Sequence, residues 1–521
     1  MAVLEQDSYL AGNPRVLAAR VLRWRAAPPD EAVAGRRFLA NWPVRLRPKM
    51  TVAGPAPRTS NPLRRIREDL RIERRATSRL PLPPGPKSWS PARDFRVRRQ
   101  MLDVLLEAHE RYGQVFTLRT FHLAGVWLLG PEANRFMLVT DREKFTWRDG
   151  LMGDLIPLIG DGLLTTDGEY HDTARRIMMP AFHRDHVVAA TATMIEEADG
   201  AVAGWRAGDR VDLYDWARHL AMRVAMRALF GLDPDATGGI DVAHQFERGL
   251  SFHGSEFVAQ VLRGPGSPFE RIKTARRILD RILGDEIARR RAGDEAGGGD
   301  VLTMLLHATD EDGARLSDEQ VRDQALTLLF AGHDTTTSTV AFLFYELARN
   351  PEWRERLAEE LDRVAGDGPP TGEQLFSELP LLDQALDETL RLYPPAWVGP
   401  RRAAGDFEFA GPPIPAGVPV NYSSWASHRL PEVFDDPHGF RPERFAPEER
   451  AKLPKGAYVP FGGGPRICIG MRFGQLEVKA IASRILRDFR LELEPGWELR
   501  IRQMPTLSPL GGLPVRIAGR G

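Results

Sequence analysis

The stretch Phe461-Gly-Gly-Gly-Pro-Arg-Ile-Cys-Ile-Gly470 holds Cys468, the one cysteine in 521 residues. A lone cysteine makes no intrachain disulfide. It cannot by itself build a zinc or iron–sulfur site, because each needs several ligands. It is either a small buried hydrophobe or a reactive or ligating sulfur. Three consecutive glycines, Gly462 to Gly464, favour the second reading. They offer no packing contacts of their own and let backbone come close to something flat and large. Backbone N–H groups in such a loop can point at the sulfur. Arg466, two residues earlier, adds positive charge that favours the thiolate.

A thiolate in a Gly-rich loop, beside an arginine that can hold a carboxylate, is what an axial haem ligand requires. The segment resembles the cytochrome P450 haem signature, Phe-x-x-Gly-x-Arg-x-Cys-x-Gly, at Phe461, Gly464, Arg466, Cys468 and Gly470. Other motifs of that family follow in order along the chain. His171 and Arg175 are spaced i,i+4 and share a helix face. They resemble the C-helix pair His-x-x-x-Arg, which implies contacts to haem propionates. Ser317 to Gln320 reads as a capping box, and the helical pattern then runs without proline to Asn350, before Pro351. A helix of that length spans roughly 50 Å. Its middle, Ala331-Gly-His-Asp-Thr-Thr-Thr-Ser-Thr339, sets hydroxyls between apolar flanks, where Ser and Thr compete for backbone hydrogen bonds. The expected result is a polar kink. The segment resembles the oxygen-activation motif Ala-Gly-x-Asp-Thr, which implies an opened backbone that admits dioxygen, with Asp334 and Thr335 supplying protons.

Glu388 and Arg391 form an i,i+3 pair ahead of Tyr393-Pro-Pro395. They resemble the family's Glu-x-x-Arg. Arg444, in the Pro-Glu-Arg-Phe element, is implied to close a triad with them that serves folding. Arg401 takes the place of a further propionate partner, with Arg402 as the alternative. Pro505-Thr-Leu-Ser-Pro509 resembles the terminal hairpin that enters the substrate pocket.

The resemblance covers about Pro81 to the C-terminus. It implies a mainly α fold with a small β region, haem b lying between the long helix and the cysteine loop. It implies a monooxygenase in which Cys468 is the axial thiolate, dioxygen the co-substrate and NAD(P)H an indirect electron source. No flavin or iron–sulfur module is evident, so a separate ferredoxin or flavoprotein is expected, docking on a basic face around Arg176, Arg472 and Lys479. A peroxide-dependent enzyme of the same fold and a non-catalytic haem protein are the alternatives. Expected pocket positions are Leu155, Phe330, Ala331, Ala396, Trp397, Leu507 and Leu510, all apolar, which point to a hydrophobic substrate.

Composition agrees with a globular protein, 42% apolar and 27% charged. The balance of 71 basic against 71 acidic residues argues against a nucleic-acid partner, yet it hides an Arg-rich, Pro-rich stretch over residues 1–80. That stretch reads as a disordered basic extension, followed by a catalytic domain over 81–521. No apolar run of membrane-spanning length or signal peptide is apparent. One cysteine fits a reducing, cytoplasmic compartment. A monomer is expected.

Overall fold

The computed structural model describes residues 62–120, 123–252, 262–293, 300–307 and 316–519. Helix α1 spans Pro62–Thr77. Its Asp69 and Ala76 are buried, and Asp69 pairs with the buried Arg402 at 3.3 Å. Arg79 just beyond pairs with Asp406 at 2.8 Å. An extension reaching to residue 80 therefore does not describe residues 62–80. They pack because a buried guanidinium far along the chain needs their carboxylate. Residues 1–61 of the expected extension lie outside the described residues.

Helix α2 spans Pro91–Tyr112. Ser90 caps it, its hydroxyl accepting from the Arg93 N–H, and Gly113 ends it at φ 83°. Strands β1 (Val115–Arg119) and β2 (Ala124–Leu128) pair antiparallel, Val115 opposite Leu128. With β3 (Phe145–Thr146), β4 (Val398–Ala403) and β5 (Pro419–Ser423) they form one sheet in the order β1-β2-β5-β4-β3. The small β region is thus assembled from both ends of the chain.

The stretch from Asp149 to Asp161 is not an open loop. It forms short helical turns over Leu151–Leu155 and Ile156–Ile159, and Leu155, Leu158 and Ile159 enter the main core. Helix α3 follows at Gly168–Met178. The region without legible chemistry supplies α4 (Leu213–Val224), α5 (Val242–Leu250) and α6 (Pro268–Arg291), each capped by an Asp or Ser side chain.

Helix α7, Asp318–Arg349, crosses the molecule. Its capping box is made as the sequence predicts: Ser317 accepts from Gln320 N–H, and the Gln320 side chain accepts from Ser317 N–H. Leu326, Leu329, Val340 and Leu343 bury its apolar flanks. Helix α8 is Pro380–Leu392, and α9, Met471–Asp488, follows the cysteine loop. A hairpin of β6 (Ile501–Arg502) and β7 (Ser508–Pro509) closes the chain's path back over α7. Among the described residues, no helix is long and apolar enough to cross a membrane.

Candidate active site

An interior cavity of about 1370 Å³ lies between α7 and the cysteine loop. Cys468 lines it from one side and Asp334 and Thr335 from the other. Cys468 is exposed, and the surface it presents lines this cavity, which opens to solvent beside Met504 and Leu510. Burial pushes its thiol pKa up, opposed by the Gly470 backbone N–H and the charge of Arg175. The loop is held by the Cys468 N–H donating to the Phe461 carbonyl at 3.0 Å.

The glycines of this loop divide their work. Gly462 faces the cavity, as does Phe461. Gly464 does not line it. It sits at φ +61°, and a Cβ there would fall 2.2 Å from the Leu138 carbonyl oxygen. Gly464 is required by close passage of protein backbone, not by a ligand surface. Gly464→Ala is expected to cost about 1–2 kcal/mol from the left-handed conformation alone, and more from the clash. A lower melting temperature with reduced haem retention would show it; unchanged melting would refute it.

Four groups at the cavity wall can meet carboxylates: His171, Arg175, Arg401 and Arg466. His171 and Arg175 share the inward face of α3, and burial holds the Arg175 pKa below its ordinary value. Burial, and then Arg466, push the His171 pKa down to about 4, so the ring is neutral at pH 7. Its Nδ1 lies 2.9 Å from Asp172. Arg466 donates to the Thr166 carbonyl at 2.7 Å and to Asp167 at 2.8 Å. Arg401 lies flat on Trp147, its guanidinium carbon 3.3 Å from the ring centroid, and burial lowers its pKa to about 10. Arg466 stands 5.0 Å from the same ring. Trp147, which the sequence reading missed, keeps two like charges side by side through cation–π contact. An aromatic residue directly before Arg148 was the available signal. Arg402 is no substitute for Arg401. It donates to the Asp149 and Gly417 carbonyls and pairs with Asp69.

On the opposite wall, α7 runs as an unbroken helix. The expected kink and opened backbone are not found. The reason is a ladder of hydroxyls donating to carbonyls four residues back: Thr335 to Ala331 at 2.8 Å, Thr337 to His333 at 2.7 Å, and Thr339 to Thr335 at 2.8 Å. These bonds satisfy the hydroxyls without displacing the helical ones. Asp334 accepts from the Thr506 hydroxyl at 2.5 Å, which ties the terminal hairpin to α7. Thr336 donates to Glu477 of α9 at 2.9 Å. Burial raises the Glu477 pKa to about 8, so this acid is largely neutral at pH 7. Thr506 lies in the hairpin stretch legible in the sequence, but no residue there pointed to Asp334, and Glu477 did not stand out.

The triad forms behind the cysteine loop. Arg391 grips Glu388 through two bonds of 2.7 and 2.8 Å. It also donates to the carbonyls of His428, Pro437 and Gly439. Arg444 approaches Glu388 at 3.4 Å. His428 carries the connection onward. Its Nδ1 faces the Arg391 carbonyl at 3.3 Å, and its Nε2 accepts from the Val459 N–H at 2.9 Å, two residues before Phe461. Burial drives its pKa to about 3, so it is neutral and its single proton sits on Nδ1.

Of the expected pocket residues, Phe330, Ala331, Ala396, Trp397 and Leu510 line the cavity. Leu155 and Leu507 do not. Leu155 packs in the main core. Leu507 packs with Phe342 and Trp397, drawn inward as its N–H donates to the Pro395 carbonyl. Met152, Leu164 and Leu328 take their places in the lining. Among the described residues, no cluster of His, Cys, Asp and Glu could hold a bare metal ion.

The site is thus defined by one sulfur, an acid–alcohol pair facing it, and cations at the edge between them. That donor set fits a porphyrin with a thiolate ligand: Cys468 for the iron, and His171, Arg175, Arg401 and Arg466 for the propionates. The cytochrome P450 family profile matches residues 83–511. Cyclooctat-9-en-7-ol 5-monooxygenase of Streptomyces melanosporofaciens is 36% identical over 384 residues, 71% of this chain and 80% of that one. Pentalenene oxygenase of Streptomyces avermitilis is 31% identical over 393 residues, 75% of this chain and 87% of that one. The solved structure of retinoic acid-bound cyanobacterial CYP120A1 superimposes with a TM-score of 0.75 at 29% identity, covering 85% of this chain and 100% of that one. The chain belongs to the cytochrome P450 family. It is an oxidoreductase of the monooxygenase class, and haem is the cofactor that membership implies.

Proposed function

We propose that this protein inserts one atom of dioxygen into a hydrophobic organic substrate, using haem b held by Cys468 and electrons from a separate redox partner. Bound haem would supply the oxygen-activating iron. The protein's residues hold the substrate, exclude water and deliver protons. One observation carries the reading: Cys468 and the Asp334–Thr335 pair line the same cavity from opposite walls, and the space between is walled mainly by apolar side chains. The relatives named for cyclooctat-9-en-7-ol and pentalenene support a largely hydrocarbon substrate. The catalytic domain would span 81–521, act as a monomer, and carry α1 docked on its sheet. The first test is the absorption of the reduced, CO-bound protein. A thiolate-type Soret position is expected; an imidazole-type position would refute ligation by Cys468. Oxygen-dependent product formation with NAD(P)H and a ferredoxin or flavoprotein system completes the test.

Electrons would enter on the cysteine side. Arg176 and Arg472 are exposed there. Lys479, expected beside them, is buried and paired with Asp383 at 2.8 Å, so it is removed from the docking face. Arg176→Glu with Arg472→Glu should slow reduction by an acidic partner about tenfold at low salt. The effect should shrink as salt rises. Unaltered reduction kinetics at low salt would exclude this face.

A further inference from the structure

The cations lining the cavity outnumber the anions that the reading above provides. Asp334 is the only carboxylate among the lining residues, and it lies deep, held by Thr506. Arg175, Arg401 and Arg466 belong to the haem edge. Arg98 pairs with Asp94 at 3.0 Å. Three further arginines line the cavity: Arg99, Arg500 and Arg502. Among the described residues none of the three has a carboxylate partner.

They lie together. Arg500 and Arg502 are two apart where the chain enters β6, so their side chains leave the same side of an extended segment. Gln503 next along donates its side-chain N–H to the Arg99 carbonyl at 3.3 Å, which sets α2 against the hairpin. The Leu510 N–H donates to the Arg500 carbonyl at 2.7 Å. This end of the cavity reaches solvent: Arg99 and Arg500 are exposed, and Met504 and Leu510 beside them are 38% and 45% exposed. Arg502 is different. It is half-buried, stands 5.7 Å from the Tyr214 ring, and its Nε is buried without a hydrogen-bond partner. A guanidinium in the cavity wall with no carboxylate partner leaves a place where an acceptor fits.

We infer that the substrate is amphipathic, with an apolar body in the cavity and one anionic head group held at the mouth by Arg502, with Arg99 and Arg500 around it. The inference rests on the monooxygenase reading for what happens to the apolar end. Arginine forks suit a carboxylate or a phosphate, and binding either is a charge-assisted, two-pronged contact. Anchoring the head would leave the far end of the molecule to be presented beneath α7. The site would therefore choose where along the chain oxidation occurs as well as which molecules enter.

Equilibrium dialysis of the haem-loaded protein tests this without turnover. The probes are dodecanoic acid, dodecyl phosphate and dodecanol, and retinoic acid against retinol. Either anion is expected to bind about tenfold or more tightly than its alcohol. In Arg502→Gln that preference should fall to about twofold. Should R502Q not fold, the exposed pair R99Q/R500Q carries the same test with a smaller loss. Equal affinity for acid and alcohol in the parent protein overturns the inference, as does failure of every anion to bind, or a preference that survives these substitutions. An imidazole-type CO spectrum would instead sink the monooxygenase reading and leave the measured head-group preference standing.

Discussion

Glu388→Ala is expected to leave a protein that no longer accumulates as folded haem protein. Arg391 and Glu388 are both fully buried, and the Glu388 carboxylate takes two Arg391 bonds and the Arg441 N–H. Removing it strands a guanidinium that water cannot reach. Breaking one side of a buried pair costs about 3–5 kcal/mol, against a typical total stability of about 5–15 kcal/mol. The damage would travel. Arg391 also donates to the His428 carbonyl, and His428 in turn holds the Val459 N–H at the foot of the cysteine loop. Chemical denaturation and haem content would measure it. Replacing both members with Met removes the stranded charge but strips the donors from the His428, Pro437 and Gly439 carbonyls, so the parent stability should not return. A single variant as stable as the parent would show that the pair does not hold the loop.

Asp334→Asn is expected to cut substrate oxidation by about 10²-fold or more, the scale of a lost proton-transfer group. Asn can still accept from Thr506, so the hairpin contact survives while the ionisable group is gone. Cys468 is untouched, so the CO spectrum should stay that of the parent protein. That separation distinguishes a proton-transfer defect from misfolding. Electron consumption should continue with peroxide released in place of product. An oxidation rate near the parent value would remove Asp334 from the chemistry.

The parts legible in the sequence are those compressed into short contiguous stretches. Cys468, Arg466 and Phe461 lie in one loop; His171 and Arg175 in two turns of one helix; Asp334 and Thr335 side by side. The bounds of α7 were legible because Ser317, Gln320 and Pro351 are local signals. What escaped depends on contacts across the fold. Asp69 meets Arg402 only after β4 joins the sheet, so an arginine-rich helix read as a tail. Lys479 looks like a surface cation until Asp383 of α8 comes alongside. Leu155 and Leu507 are apolar residues near the cavity in sequence terms, yet a turn of backbone puts each in the core. Gly464 was legible as necessary but not for its reason, since the obstacle is the Leu138 backbone. The expected opening of α7 failed because Thr can be satisfied by a carbonyl one turn back as readily as by breaking the helix.

That last arrangement gives the site a direction. Thr335 has one hydroxyl proton, and it is committed to the Ala331 carbonyl. What the residue turns toward the cavity is therefore a lone pair. In this state Thr335 receives hydrogen bonds from the cavity and does not donate them. Thr335 is then a post that orients whatever donor stands before it.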